Sequence, residues 1–227
     1  MYMSPEIWLI IIVAIAGFIV QMRLQSVFSK YSKVPFPGGL TGRDVAEKML
    51  HDNGIDDVTV TSTRGSLTDN FNPTNKTVNL SEPVYGMASI SAAAVAAHES
   101  GHALQHARGY APLKMRSALV PVVSLASRWA MWVVLAGIVV INTFPALFWV
   151  GIAMQGMALL FALITLPVEL NASRRALAWL QSSRMLNDEQ QKQARQALSW
   201  AAGTYLVAAL SALTTIIYYI GFARNRN

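Results

Sequence analysis

The chain has 227 residues, of which 53% are hydrophobic and only 13% are charged. This composition is too apolar for an ordinary water-soluble domain and favours a membrane protein. Most of the net charge of +6 comes from the polar segments between the apolar runs, so we do not expect nucleic-acid binding. Because the chain contains no cysteine, disulfides and thiolate metal ligands are excluded.

Four apolar runs are long enough to cross a membrane as helices: residues 7–22, 118–141, 145–168 and 203–222. No basic residue precedes the first run and Arg23 follows it, which is the reverse of a secretory signal and predicts a retained anchor. Only residues 142–144 separate the second run from the third. This spacing predicts a tight helical hairpin.

The charged residues lie mostly in two polar regions. Ten Lys and Arg residues fall in 23–117 and five in 169–200. The excess of positive charge predicts that both regions face the cytoplasm. We therefore expect five parts: an anchor at 1–22, a cytoplasmic domain at 23–117, a transmembrane hairpin at 118–168, a cytoplasmic helical segment at 169–200, and a last transmembrane helix with its tail at 201–227.

The first polar region has the pattern of a small α+β domain. Thr41 and Asp44 resemble a capping box that opens a helix ending near residues 53–54. Residues 58–63 and 76–81 predict two strands, with a turn-rich segment at 70–75 between them. The second strand can bind an extended peptide by edge pairing, or it can be part of a structural hairpin. The residues in question are Thr77, Val78, Asn79 and Leu80.

The most informative motif is H-E-x-x-H, formed by His98, Glu99 and His102. Four residues turn a helix through about 400°, so both histidines lie on one face, one turn apart. That spacing allows both imidazoles to bind one Zn²⁺, while Glu99 can reach a water on the metal. Alanines before His98 and Gly109 after the motif favour one helix over residues 89–108. The implied chemistry is metal-assisted hydrolysis.

Catalytic zinc usually has three protein ligands and one open position. His106 is one candidate for the third ligand, but it lies about 12 Å along the helix from His98 and about 80° around it. Glu169 is the better candidate, because it stands where the third apolar run returns to the cytoplasmic side. A helix-end carboxylate paired with Arg174 or Arg175 is the alternative role for Glu169.

Three sequence segments together resemble the YugP-type bacterial membrane zinc metallopeptidases. They are V-A-A-H-E-S-G-H-A-L-Q-H-A-R-G-Y, L-P-V-E-L-N-A-S-R-R-A and L-T-D-N-F-N-P. The resemblance extends from about residue 40 to the end of the chain. The family is similar in plan to HtpX-type membrane proteases, in which a Glu at the start of an E-x-x-A-D-type helix completes the zinc site. The matching positions here are Glu169 and Ala172, and Ser173 stands where those relatives carry Asp.

These observations predict a mainly α membrane protein with about four transmembrane helices and a small α+β zincin-like cytoplasmic domain. The expected function is a gluzincin-like zinc endopeptidase of the bacterial inner membrane, in membrane protein turnover or quality control. It would hold one Zn²⁺ per chain, use Glu99 as general base and act on polypeptides. His106, Asn171, Arg174 and Tyr110 are candidates for supporting the ligands or the oxyanion, and Tyr85 is a further oxyanion candidate. The alternative is a non-catalytic membrane scaffold that keeps zinc for stability.

Overall fold

The computed structural model describes residues 5–224, so residues 1–4 of the predicted anchor and 225–227 of the predicted tail lie outside the described residues. The described chain is mostly helical and has seven α-helices and one small sheet. The helices are α1 (Pro5–Tyr31), α2 (Gly42–Asp52), α3 (Glu82–Gly86), α4 (Ile90–Ala107), α5 (Ala111–Val139), α6 (Pro145–Ser182) and α7 (Asp188–Arg224). The strands are β1 (Thr59–Thr63), β2 (Asn70–Asn72) and β3 (Thr77–Ser81).

Four helices, α1, α5, α6 and α7, are long and apolar enough to cross a membrane. Helices α1, α6 and α7 contain the apolar runs predicted for them, whereas α5 ends at Val139, two residues before the end of the second run. Helix α6 continues through Pro167 without interruption, so the third apolar run and the segment that carries Glu169 belong to one helix. The end of the third apolar run therefore does not mark a helix end.

The described residues divide into two compact units. The helical unit consists of residues 5–20, 114–166 and 203–224. Within it, Gly137 of α5 lies so close to α6 that an added Cβ would stand 2.5 Å from the Cα of Phe148. Small residues at such positions allow membrane helices to approach backbone to backbone. Phe148 itself is fully buried beside Val134.

The α+β unit consists of residues 21–113 and 167–202. Its core is formed by apolar side chains of α2, β3, α4, α6 and α7, including Val45, Met49, Leu80, Ile90 and Leu180. The predicted capping box at the start of α2 is present: the Thr41 hydroxyl accepts from the backbone N–H of Asp44, and the Asp44 carboxylate accepts from that of Thr41. This unit contains the H-E-x-x-H helix and Glu169.

The sheet has the strand order β1-β3-β2, with β3 parallel to β1 and antiparallel to β2. The prediction that Thr77, Val78, Asn79 and Leu80 form an edge strand is therefore wrong, because β3 is the central strand. Its second neighbour, β2, lies in the Asn- and Pro-rich segment that the sequence predicted to be a turn. Within this sheet the open edges belong to β1 and β2.

Candidate metal centre

Helix α4 carries the H-E-x-x-H motif and has well-defined ends. The Ser89 side chain accepts from the backbone N–H of Ala92 at the N-terminus. At the C-terminus, Gly109 takes a φ of 63° and the N–H of Tyr110 donates to the carbonyl of Gln105. This regular helix places His98 and His102 one turn apart, with ring centroids separated by 4.8 Å and nearly perpendicular.

Helix α6 brings Glu169 to the two histidines. Its Oε2 lies 3.1 Å from Nε2 of His98 and 3.5 Å from Nε2 of His102. One ligand atom from each of the three side chains falls within 4.8 Å of the others. Glu169 is only 2% exposed, so its carboxylate is held among the imidazoles and away from bulk water.

A close crossing of α4 and α6 makes this meeting possible. Gly101 lies between the motif histidines, and an added Cβ there would stand only 2.7 Å from the backbone carbonyl oxygen of Ala172. Ala172 is fully buried. The small residue predicted at this position from the family resemblance therefore lies where the two helix backbones touch.

The donor set fits a zinc ion. Bonds of about 2.0–2.1 Å in a tetrahedral arrangement place neighbouring ligand atoms about 3.3 Å apart. The two distances from Glu169 to the histidines bracket this value. Two imidazoles and one carboxylate also match the ligands of catalytic zinc sites that keep a fourth position for water.

Charge and burial shape the electrostatics of this cluster. Burial raises the pKa of Glu99, and the neighbouring His98 and His102 counteract that rise in part. For His102, burial lowers the pKa, but the hydrogen bond with Glu169 and the nearby Glu99 charge outweigh it, so the pKa is raised. In the absence of a metal, a proton on His102 therefore stabilises this group of side chains. A metal cation can take the place of that proton.

The Nδ1 atom of each motif histidine contacts a buried polar side chain. Nδ1 of His98 lies 3.1 Å from Oγ of Ser173, and Nδ1 of His102 lies 3.0 Å from Oε1 of Gln105. Neither contact was predicted from the sequence. For Gln105, the only available signal was its position three residues after His102, which places both side chains on one helix face.

The remaining predicted site residues lie in different surroundings. Asn171 accepts from Gln105 and from Arg175, so it belongs to the surroundings of His102. His106 is exposed and packs against the ring of Phe71 at 5.7 Å, and it is not part of the metal-ligating group. The supporting candidate Arg174 is exposed, and Tyr110 is half-buried. Tyr85 packs under the guanidinium of Arg43.

Comparison with known proteins identifies the family. The model of a family described as "putative neutral zinc metallopeptidase" matches residues 6–224. The chain belongs to this family. It is also 42% identical over 204 residues to the "putative membrane protease YugP" of Bacillus subtilis (strain 168), a match that covers 90% of both chains. No solved structure matches the chain.

The family assignment and the geometry agree on the kind of site. A zinc metallopeptidase acts on a polypeptide and needs residues that bind zinc, and His98, His102 and Glu169 form a group that could hold a metal ion. The four apolar helices agree with the membrane protease among the relatives. The resemblance predicted from the sequence motifs is thereby confirmed.

Proposed function

We propose that this protein is a zinc-dependent endopeptidase of the bacterial inner membrane that contributes to membrane protein turnover or quality control. The observation that carries the proposal is the convergence of His98, His102 and Glu169 beside Glu99 within one compact unit. In this assignment the first three residues hold one Zn²⁺ per chain. Glu99 is the catalytic base.

The proposed reaction is the hydrolysis of a peptide bond. When bound, zinc lowers the pKa of a water and polarises the scissile carbonyl. Glu99 takes a proton from the water as the water oxygen attacks the carbonyl carbon. It then gives that proton to the departing amide nitrogen as the C–N bond breaks, which leaves a carboxylic acid and an amine. Burial raises the pKa of Glu99, which makes its carboxylate a stronger base than an exposed glutamate.

We propose that the site faces the cytoplasm. The basic residues in 23–117 and 169–200 support this orientation through the positive-inside rule. The three proposed ligands lie in these two regions, on either side of the hairpin formed by α5 and α6. A hairpin of two spans returns the chain to the side from which it left, so the ligands on both regions can meet.

The test is the Glu99→Gln variant, purified in detergent and compared with the wild type in zinc content and in cleavage of an unstructured fluorogenic protein. We expect about one zinc per chain in both proteins. We expect cleavage by the variant to fall by about 10²–10⁴-fold, because the amide cannot accept the proton. The matched control is Glu82→Gln, which changes an exposed carboxylate in the same unit and should leave both measurements unchanged.

The same experiment separates the peptidase from a non-catalytic zinc scaffold. A scaffold would bind zinc and show no cleavage above background in the wild type. Loss of zinc from a folded Glu99→Gln protein would instead show that Glu99 is a ligand and that its proposed role is wrong. Co-purification of uncleaved proteins with Glu99→Gln would identify substrates of the active enzyme.

A further inference from the structure

Gln105 is the only fully buried glutamine in the described part of the chain, and all of its polar atoms are engaged. It is 0% exposed. Its Nε2 lies 2.8 Å from the backbone carbonyl oxygen of Val168 and 3.0 Å from Oδ1 of Asn171. Its Oε1 lies 3.0 Å from Nδ1 of His102. A residue that was unremarkable in the sequence thus connects a proposed zinc ligand on α4 to two groups on α6.

The orientation of the Gln105 amide follows from its partners. A backbone carbonyl can only accept a hydrogen bond, so the group facing Val168 must be the NH₂ of Gln105. Asn171 gives a second, independent constraint. The Nε–H of Arg175 can only donate, at 2.8 Å, which identifies the Asn171 atom that faces it as the oxygen. That same oxygen faces Gln105, so its partner there is again the NH₂ group.

With the NH₂ facing α6, the carbonyl oxygen of Gln105 faces His102. This oxygen can only accept, so Nδ1 of His102 must carry a proton. Nε2 is then the nitrogen left to bind a metal, which would displace the proton that Nε2 shares with Glu169 in the metal-free protein. It is Nε2 that lies beside Glu169, in the position a metal ligand requires.

We propose that Gln105 is a positioning residue that keeps Nδ1 of His102 protonated, so that Nε2 is the nitrogen left to bind the metal. The inference rests on the proposed zinc site. It assigns no comparable role to Ser173 beside His98, because a hydroxyl can donate or accept and so does not itself determine whether Nδ1 of that histidine carries a proton. Of the two histidines, only His102 therefore has a partner at Nδ1 that can do nothing but accept.

The first test is the affinity for zinc, measured by competition with a chelator on the full-length protein in detergent. Gln105→Leu keeps the size of the side chain and removes its polar atoms. We expect zinc affinity to fall by about 10- to 100-fold, the usual effect of losing the partner of a ligating histidine. Gln105→Glu restores an acceptor for Nδ1–H and should recover most of that affinity, although it gives up the donors to α6.

Gln191→Leu is the matched control for a purely structural role. Gln191 also donates to a backbone carbonyl of α6, that of Leu177 at 2.8 Å, but it lies in α7 and does not face a histidine. Its substitution should leave zinc affinity unchanged. The proposal is overturned if Gln105→Leu binds zinc as tightly as the wild type. It is also overturned if Gln105→Glu is as weak as Gln105→Leu.

The second test does not depend on any variant folding. Nitrogen NMR of ¹⁵N-histidine-labelled, zinc-free wild type reports which ring nitrogens of each histidine carry a proton. We expect His102 as the Nδ1–H form, and a deprotonated Nδ1 would refute the inference. If the wild type takes up no zinc at all, the proposed function fails, while this spectrum still tests the protonation of Nδ1.

Discussion

Glu169 and His106 are the two candidates for a third ligand, and the structure puts them in different surroundings. Glu169 is buried between the motif histidines, whereas His106 is exposed beside Phe71. We therefore expect Glu169→Ala to lose both zinc and cleavage activity. His106→Ala should keep about one zinc per chain. The measurement is elemental analysis of the purified proteins, with circular dichroism to show that each is folded.

A conservative variant of Glu169 further tests whether Glu169 or His106 is the third ligand. Glu169→Gln keeps the size of the side chain and removes the negative charge that faces the two imidazoles, so it too should bind zinc weakly. If His106→Ala loses zinc while Glu169→Ala retains it, the ligand set would be His98, His102 and His106. Helix α4 would then have to bend, because a straight helix separates the first and third histidines by about 12 Å.

At the scale of the elements, the crossing of α4 and α6 depends on the absence of a side chain at Gly101. A methyl group there would meet the backbone oxygen of Ala172 at 2.7 Å, and a carbonyl in the middle of a helix cannot move aside freely. We expect Gly101→Ala to push the helices apart, to lower the free energy of unfolding by about 1–3 kcal/mol and to weaken zinc binding. Thermal unfolding and chelator competition measure the two effects.

The control for the Gly101 prediction is Gly86→Ala in α3. An added Cβ at Gly86 meets nothing within 4 Å, so stability and zinc affinity should both stay at the wild-type level. Equal effects of the two substitutions would mean that a general loss of glycine flexibility, and no specific helix contact, explains the result.

Local sequence signals predicted most of the helices and the histidine pair, because their causes lie within a few residues. The capping box at Thr41 and Asp44 and the turn at Gly109 are examples. The sequence did not predict β2, whose three residues lie in an Asn- and Pro-rich segment and form a strand only by pairing with β3. For the same reason, nothing local indicated that β3 would be central.

The contacts around the site were harder to predict than the motif itself. Ser173 of α6 faces Nδ1 of His98 only because α4 and α6 cross at Gly101, whereas Gln105 faces Nδ1 of His102 from the next turn of the same helix. The spacing of residues within α4 or within α6 does not indicate where the two helices cross. Glu169 could be selected from the sequence as a candidate ligand, because it is an acidic residue at the end of an apolar run.

At the scale of the whole molecule, the distribution of basic residues predicts the sidedness of the chain. Cysteines introduced singly at Ser66 and Ser183 of this cysteine-free chain should resist an impermeant thiol reagent in intact cells and react after lysis. A cysteine at Thr143, in the exposed turn between α5 and α6, should react from outside. The unsubstituted protein provides the background, since it has no thiol.

Two outcomes would contradict this topology. Labelling of Ser66→Cys and Ser183→Cys on opposite sides of the membrane would rule out a zinc site shared by the two polar regions. Labelling of both from outside, with Thr143→Cys protected, would keep the shared site and reverse the proposed orientation.

The separation of the ligands along the chain also determines when the site can exist during synthesis. His98 and His102 are made before the hairpin of α5 and α6, and Glu169 follows most of it. At ~5–20 residues per second, making residues 103–168 takes roughly 3–13 s. During that interval the nascent chain has the histidine pair and Glu99 but lacks Glu169, the proposed carboxylate ligand. The proposed metal site can therefore be completed only after the ribosome has made most of the hairpin.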